Sequence, residues 1–204
     1  MKVKNIVSLG LVGTILAVTS SNHVLASTRH KEYNPQLAAA YAGIYGREGN
    51  YNKNYYDFKG ADSTNFVSQC LYAGGISMKK KTGVDDGAYQ TKSYWYHYKN
   101  NGNWYYSTSW IRVAGDYGFY DYWYDDNHGY RTFSGLSYST TVTTAGVGDV
   151  IQIEESGKPK HCFFVVNKGK GILKCASHDD DYSGMDLNKI IDGRDYKFTL
   201  LKFK

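Results

Sequence analysis

The chain has 204 residues, with 24 Lys and Arg against 19 Asp and Glu and a net charge of +5. So small an excess leaves no electrostatic footprint for nucleic acid, and a chain of this length suits one domain with a full-sized core. Its three cysteines, Cys70, Cys162 and Cys175, have no metal-ligand spacing, and no metal site is expected.

Residues 1–26 read as a signal peptide. Lys2 and Lys4 form a basic start, Ile6 to Thr19 is apolar, and Val24-Leu25-Ala26 fits a small-residue cleavage site. The apolar run is short for a bilayer and is broken by Ser8, Gly10, Gly13 and Thr14, so no stable anchor is expected after cleavage. Losing Lys2 and Lys4 lowers the charge from +5 to +3, a mildly basic balance that favours approach to an anionic cell wall. Ser27 to Glu32 reads as a disordered lead, and residues 33–204 as one domain.

Asn34-Pro35 starts a helix, with Asn as cap and Pro at the first helical position. Leu37, Ala40, Tyr41, Ile44 and Tyr45 recur at helical spacing, and Gly46 ends the run. After a polar, aromatic loop to Gly60, Asp62 is placed to cap a second helix with its carboxylate. Residue 63 then lies in the first turn, where free N–H groups and the helix dipole favour a developing anion. Ser63, Phe66, Val67 and Cys70 share one face, and Gly74-Gly75 stops the helix.

Residues 79–107 read as loop, with Tyr and Trp crowded between Ser93 and Tyr106. Such rings serve as core and interfacial aromatics or as a surface for sugar rings and peptide stems. Trp110, Val113, Ala114 and Tyr117 suggest a third helix, weakened by Gly115 and Gly118. From Gly148 the pattern changes to strands over 148–153, 161–167, 171–178 and 196–203. Helices first and an antiparallel sheet second is an α+β arrangement. A hairpin centred on Lys168-Gly169 would set Cys162 opposite Cys175, which leaves open a cross-strand disulfide or two buried thiols. His161, Phe163 and Val165 share one strand face, expected to pack on the second helix.

The run Asp62-Ser63-Thr64-Asn65-Phe66-Val67-Ser68-Gln69-Cys70, continued through Ile76, resembles the nucleophile motif of the putative amidase domain family. That family is a bacterial branch of the papain-like fold, related to NlpC-type and CHAP cell-wall hydrolases, and carries Cys where this chain has Ser63. Ser107-Thr108-Ser109-Trp110 and the Gly148-Asp149-Val150 strand ahead of His161 add to the resemblance, which spans roughly Tyr33 to Asp181. It implies a papain-like, NlpC-like domain with Ser63 as nucleophile, His161 as base and His178 as the group that orients the base. Asp62 and Asp179 are the expected supports, with Asp179 the competitor for the orienting role. Asn65, Gln69 and Trp110 are the expected substrate-binding residues. No cofactor is implied.

The implied function is a secreted, wall-associated bacterial hydrolase of peptidoglycan amide bonds, with the wall or its stem peptides as partner. The alternatives are an inactive wall- or partner-binding module and a secreted toxin or effector acting on a protein amide. A hydroxyl ionises far less readily than a thiol. Ser63 therefore leaves three readings open: a natural pseudoenzyme, a weak Ser hydrolase, or a deliberate replacement that traps an inactive form.

Overall fold

The computed structural model describes residues 32–47, 49–124, 131–179 and 182–203. Residues 1–26, read above as a signal peptide, most of the expected lead, His128, Asp180 and Asp181 lie outside the described residues.

Helix α1 spans Pro35–Tyr45, and its Asn34 cap accepts from the amides of Gln36 and Leu37. Helix α2 spans Ser63–Ala73. Its residues from Ser63 to Leu71 are all buried, so it is not the one-sided amphipathic helix that the sequence suggests. It lies against α1 and the large sheet at once, which explains why both its polar and its apolar positions leave water.

The stretch expected to be loop forms a small sheet. Strands β1 (Gly87–Tyr89), β2 (His97–Asn100) and β3 (Asn103–Ser107) run in the order β1-β3-β2, with β1 parallel and β2 antiparallel to β3. The missed signal was Asn101-Gly102. Both residues have positive φ, 49° and 86°, as a two-residue hairpin turn requires. The single third helix is also corrected. Helix α3 covers only Thr108–Ile111, the chain turns extended at Arg112, and α4 begins at Phe119 and runs to Tyr124.

The rest is strand β4 (Arg131–Leu136), helix α5 (Tyr138–Thr144), strands β5 (Val150–Glu155), β6 (Lys158–Gly169), β7 (Ile172–Ser177) and β8 (Tyr182–Asp186), helix α6 (Leu187–Ile191) and strand β9 (Lys197–Lys202). The six strands pair antiparallel in the order β4-β9-β5-β6-β7-β8. The fold is α+β.

Strand alternation splits the core between two faces. Val150, Cys162, Phe164, Ala176 and Leu201 belong to the cluster with α1 and α2. Ile151, Phe163, Val165, Leu173, Cys175 and Leu200 belong to the cluster with α6. Phe163 and Val165 therefore pack away from α2, contrary to the sequence expectation; Cys162 and Phe164 face it. The cysteines follow the same split. The β6–β7 turn falls at Lys170-Gly171, Cys175 pairs with Val165, and all three thiols are free and buried. The disulfide alternative fails because the two sulfurs lie on opposite faces.

Gly148 fixes the approach of β5 to α1. It has φ of 89°, and a Cβ there would stand 2.3 Å from the Cβ of Pro35. Tyr33 completes the joint by donating its hydroxyl to the Gly148 carbonyl at 2.6 Å.

Candidate active site

Three elements converge at the start of α2. The amides of Asp62 and Ser63 donate to the two carboxylate oxygens of Asp179, at 2.6 and 3.2 Å. Asp179 follows the end of β7 and holds φ at 85°, a left-handed conformation uncommon for a non-glycine residue. Its carboxylate takes the place at the helix N-terminus where an anion is most favoured. Asp62, expected to cap the helix itself, makes no side-chain cap. Its carboxylate instead accepts from the amide of Phe58 at 3.2 Å and from Asn65 Nδ2 at 2.8 Å, and meets His178 Nδ1 at 2.5 Å.

His161 approaches from β6. Its Nδ1 lies 3.9 Å from the Asp179 oxygen that Ser63 N–H contacts, and its side chain is 22% exposed. The Ser63 amide and the His161 ring thus meet at Asp179. The other ring nitrogen, Nε2, is 2.9 Å from Ser177 Oγ. Ser177 has one proton and two carbonyls within reach, those of Cys162 at 2.8 Å and His178 at 2.9 Å. A hydroxyl that donates to a carbonyl accepts from the ring. Ser177 thereby fixes a proton on Nε2 and turns Nδ1 toward Asp179.

His178 does not orient His161. It is buried, stacked on Phe66 at 4.2 Å, and bonded through Nδ1 to Asp62 and through Nε2 to the Tyr45 carbonyl at 2.7 Å. The Tyr45 carbonyl can only accept, so Nε2 carries a proton, and Nδ1 and the Asp62 carboxyl share the short contact on the other side. This buried pair ties the end of α1, the start of α2 and the end of β7 together.

The expected substrate-binding residues are corrected as well. Asn65, Gln69 and Trp110 are buried. Trp110 Nε1 donates to Asn65 Oδ1 at 2.8 Å, Asn65 Nδ2 donates to the Tyr56 carbonyl at 3.0 Å, and Gln69 Oε1 accepts from the Tyr41 hydroxyl at 2.6 Å. Their polar atoms hold the aromatic loop and α1 against α2, which leaves them no face for a ligand. Ser177 was missed because nothing in a strand pattern separates a serine that bonds a histidine from one that ends a strand.

Beneath the site, Thr64 Oγ1 and Gln152 Nε2 lie 3.4 and 3.2 Å from the Cys162 sulfur. Burial raises the Cys162 thiol to about 11, an inert neutral thiol rather than a second nucleophile. Among the described residues no group of three or more His, Cys, Asp or Glu is arranged to hold a metal. A cleft lined in part by Asp116, Asp121, Glu154 and Lys158 contains none of the residues above.

The sequence profile of the putative amidase domain matches residues 32–201. The chain belongs to this family. The family's name points to amide-bond hydrolysis as its reaction class. No curated protein and no solved structure matches the chain.

Proposed function

We propose that this amidase-family domain is an exported hydrolase of papain-like design acting on amide bonds in the peptide part of peptidoglycan. Ser63 is the nucleophile, His161 Nδ1 the base, and Ser177 the residue that positions the base. The observation that carries this reading is the convergence of the Ser63 amide and His161 Nδ1 on one carboxylate oxygen. Any carbonyl entering there meets a helix-end N–H and a basic nitrogen together.

In the proposed step, Ser63 Oγ attacks the amide carbon and its proton passes to His161 Nδ1. That proton then goes to the leaving nitrogen as the C–N bond breaks, and water hydrolyses the resulting ester. The Ser63 N–H that would stabilise the oxyanion now donates to Asp179, so a substrate carbonyl has to take it over. Asp179, 3.9 Å from Nδ1, stabilises the imidazolium formed during attack.

One feature favours the second reading, an inactive binding module: a hydroxyl stands at the head of α2 and a carboxylate already sits on its amide. A three-way comparison of Ser63, Ser63→Cys and Ser63→Ala on purified muropeptides separates the readings. The hydrolase reading expects Ser63→Cys to release amine at least roughly tenfold faster, because the thiol ionises more readily. His161→Ala in the Cys form should remove about 10²–10⁴ of that rate. A Cys form that folds yet is as inert as Ser63→Ala overturns the hydrolase and leaves the binding module. Ser177→Ala should lower kcat and shift its pH profile, with Ser177→Thr restoring both; a purely structural serine would leave the profile in place.

A further inference from the structure

The rings beside α2 form one continuous, half-open surface. The loop before α2 supplies Tyr56, 43% exposed, and the half-buried Phe58; strand β3 supplies half-buried Trp104 and Tyr106. Tyr56 lies 4.8 Å from Phe58, 6.2 Å from Trp104 and 6.3 Å from Tyr106, and Phe58 lies 5.0 Å from Tyr106. His97 closes the surface from below, stacked on Tyr106 at 5.4 Å. Burial lowers its pKa to about 3, so the floor carries no charge, and its Nδ1 is buried without a partner.

This surface is bonded directly to the catalytic helix. The Phe58 amide donates to Asp62, and the Tyr56 carbonyl accepts from Asn65. The backbone that carries two of these rings is therefore tied to the first turn of the helix that Ser63 heads. The rim carries both signs: the Lys99 ammonium stands 4.9 Å over Trp104, and Asp57 is exposed between Tyr56 and Phe58. A polyanion would meet Asp57 and a polycation Lys99. A half-open ring surface leaves one edge of its ligand in water. A sugar ring has that shape, with apolar C–H faces and a hydroxyl-rich edge.

We propose that Tyr56, Phe58, Trp104 and Tyr106 form a saccharide subsite that seats the neutral glycan part of the substrate beside Ser63. The inference rests on the wall-hydrolase reading above and adds the half of the polymer that the nucleophile does not touch.

The probes are a β-1,4-linked N-acetylglucosamine tetrasaccharide, a peptide-free glycan strand, the free stem peptide and a single-stranded oligonucleotide. Binding to the full chain is followed by tryptophan fluorescence and calorimetry. The expected result is saturable binding of both saccharides, weakened roughly tenfold by Tyr56→Ala and by Trp104→Ala, and retained in Tyr56→Phe and Trp104→Phe. Tyr56→Ala alters an exposed ring and keeps its backbone carbonyl, so folding is not at stake; the Phe variants serve the same end for Trp104.

Absence of saccharide binding at millimolar concentration overturns the proposal. So does binding that ignores both Ala variants, or an oligonucleotide or stem peptide that displaces the saccharide from these rings and binds more tightly. If Ser63→Cys cleaves muropeptides while no saccharide binds, the subsite is wrong and the hydrolase stands. If saccharides bind and no variant cleaves, the hydrolase is wrong and the subsite stands.

Discussion

The two faces of the six-stranded sheet differ in kind. The face toward α1 and α2 buries Asp62, Ser63, Thr64, Asn65, Ser68, Gln69, Gln152 and His178 among its apolar residues. The face toward α5 and α6 is a run of aliphatic and aromatic side chains, including Val142, Ile151, Phe163, Leu173, Leu187 and Leu200. Apolar burial is non-directional and holds a sheet together without specifying where one atom sits. Buried polar groups have to find partners, and each partner fixes a distance. The polar face therefore sets the position of the α2 N-terminus to within a hydrogen bond, and the dry face supplies stability.

That contrast can be broken most severely at the Asp62–His178 pair. Asp62→Ala strands His178 Nδ1, Asn65 Nδ2 and the Phe58 amide at once and should cost about 3–5 kcal/mol in equilibrium urea unfolding. Pairing it with His178→Leu removes the stranded ring nitrogen and should recover part of the loss. If the double variant is no better than the sum of the two single variants, the pair is not the unit described here.

On the dry face, Leu200→Ala should cost about 2–5 kcal/mol by lost contacts and cavity formation. The distinction lies in what else moves. Saccharide affinity and the Ser63→Cys cleavage rate should survive Leu200→Ala under conditions where the protein is folded. They should fall with Asp62→Ala, because α2 loses its fixed end.

A third test uses pH. His97 is held neutral by burial, with its pKa lowered from 6.5 to about 3. Between those values the unfolded chain takes up a proton that the folded chain does not, so stability rises with pH across the window. The contribution is complete above 6.5 and is lost as pH falls toward 3. His97→Gln should flatten the slope relative to the parent in that interval while leaving the carboxylate-driven part unchanged. An identical slope in the two proteins would mean that the ring is not buried as described.

The smallest effect is expected outside both faces. Ile172 is 41% exposed at the β6–β7 turn, and Ile172→Thr should shift stability by no more than about 0.5 kcal/mol. A larger change would indicate that this edge is covered in solution.

Much of the scaffold was legible from local pattern. Asn34-Pro35 starts α1 because the cap and the fixed φ of proline act within four residues. The strands expected at 148–153 and 196–203 stand at 150–155 and 197–202, and the motif from Asp62 to Gln69 identified the family. Asn101-Gly102 was equally local and went unread beneath a crowd of aromatic residues.

What the sequence could not decide is which side chain meets which. Asp62 looks like a helix cap, and Asp179 does the capping from 117 positions away along the chain. His178 looks like the orienter of His161, yet Ser177 holds that ring and His178 is spent on Asp62 and Tyr45. Asn65, Gln69 and Trp110 look like ligand contacts and are interior struts. Periodicity assigns a residue to a face, because it depends only on spacing along the chain. The partner of a polar group depends on how far one element slides against another, and a bulge in β6–β7 or a turn moved from Lys168-Gly169 to Lys170-Gly171 changes it completely. The sequence by itself determined the family and the starts of α1 and α2; only the packing of α2 between α1 and the sheet decided which strand face meets it and the contacts of Ser63.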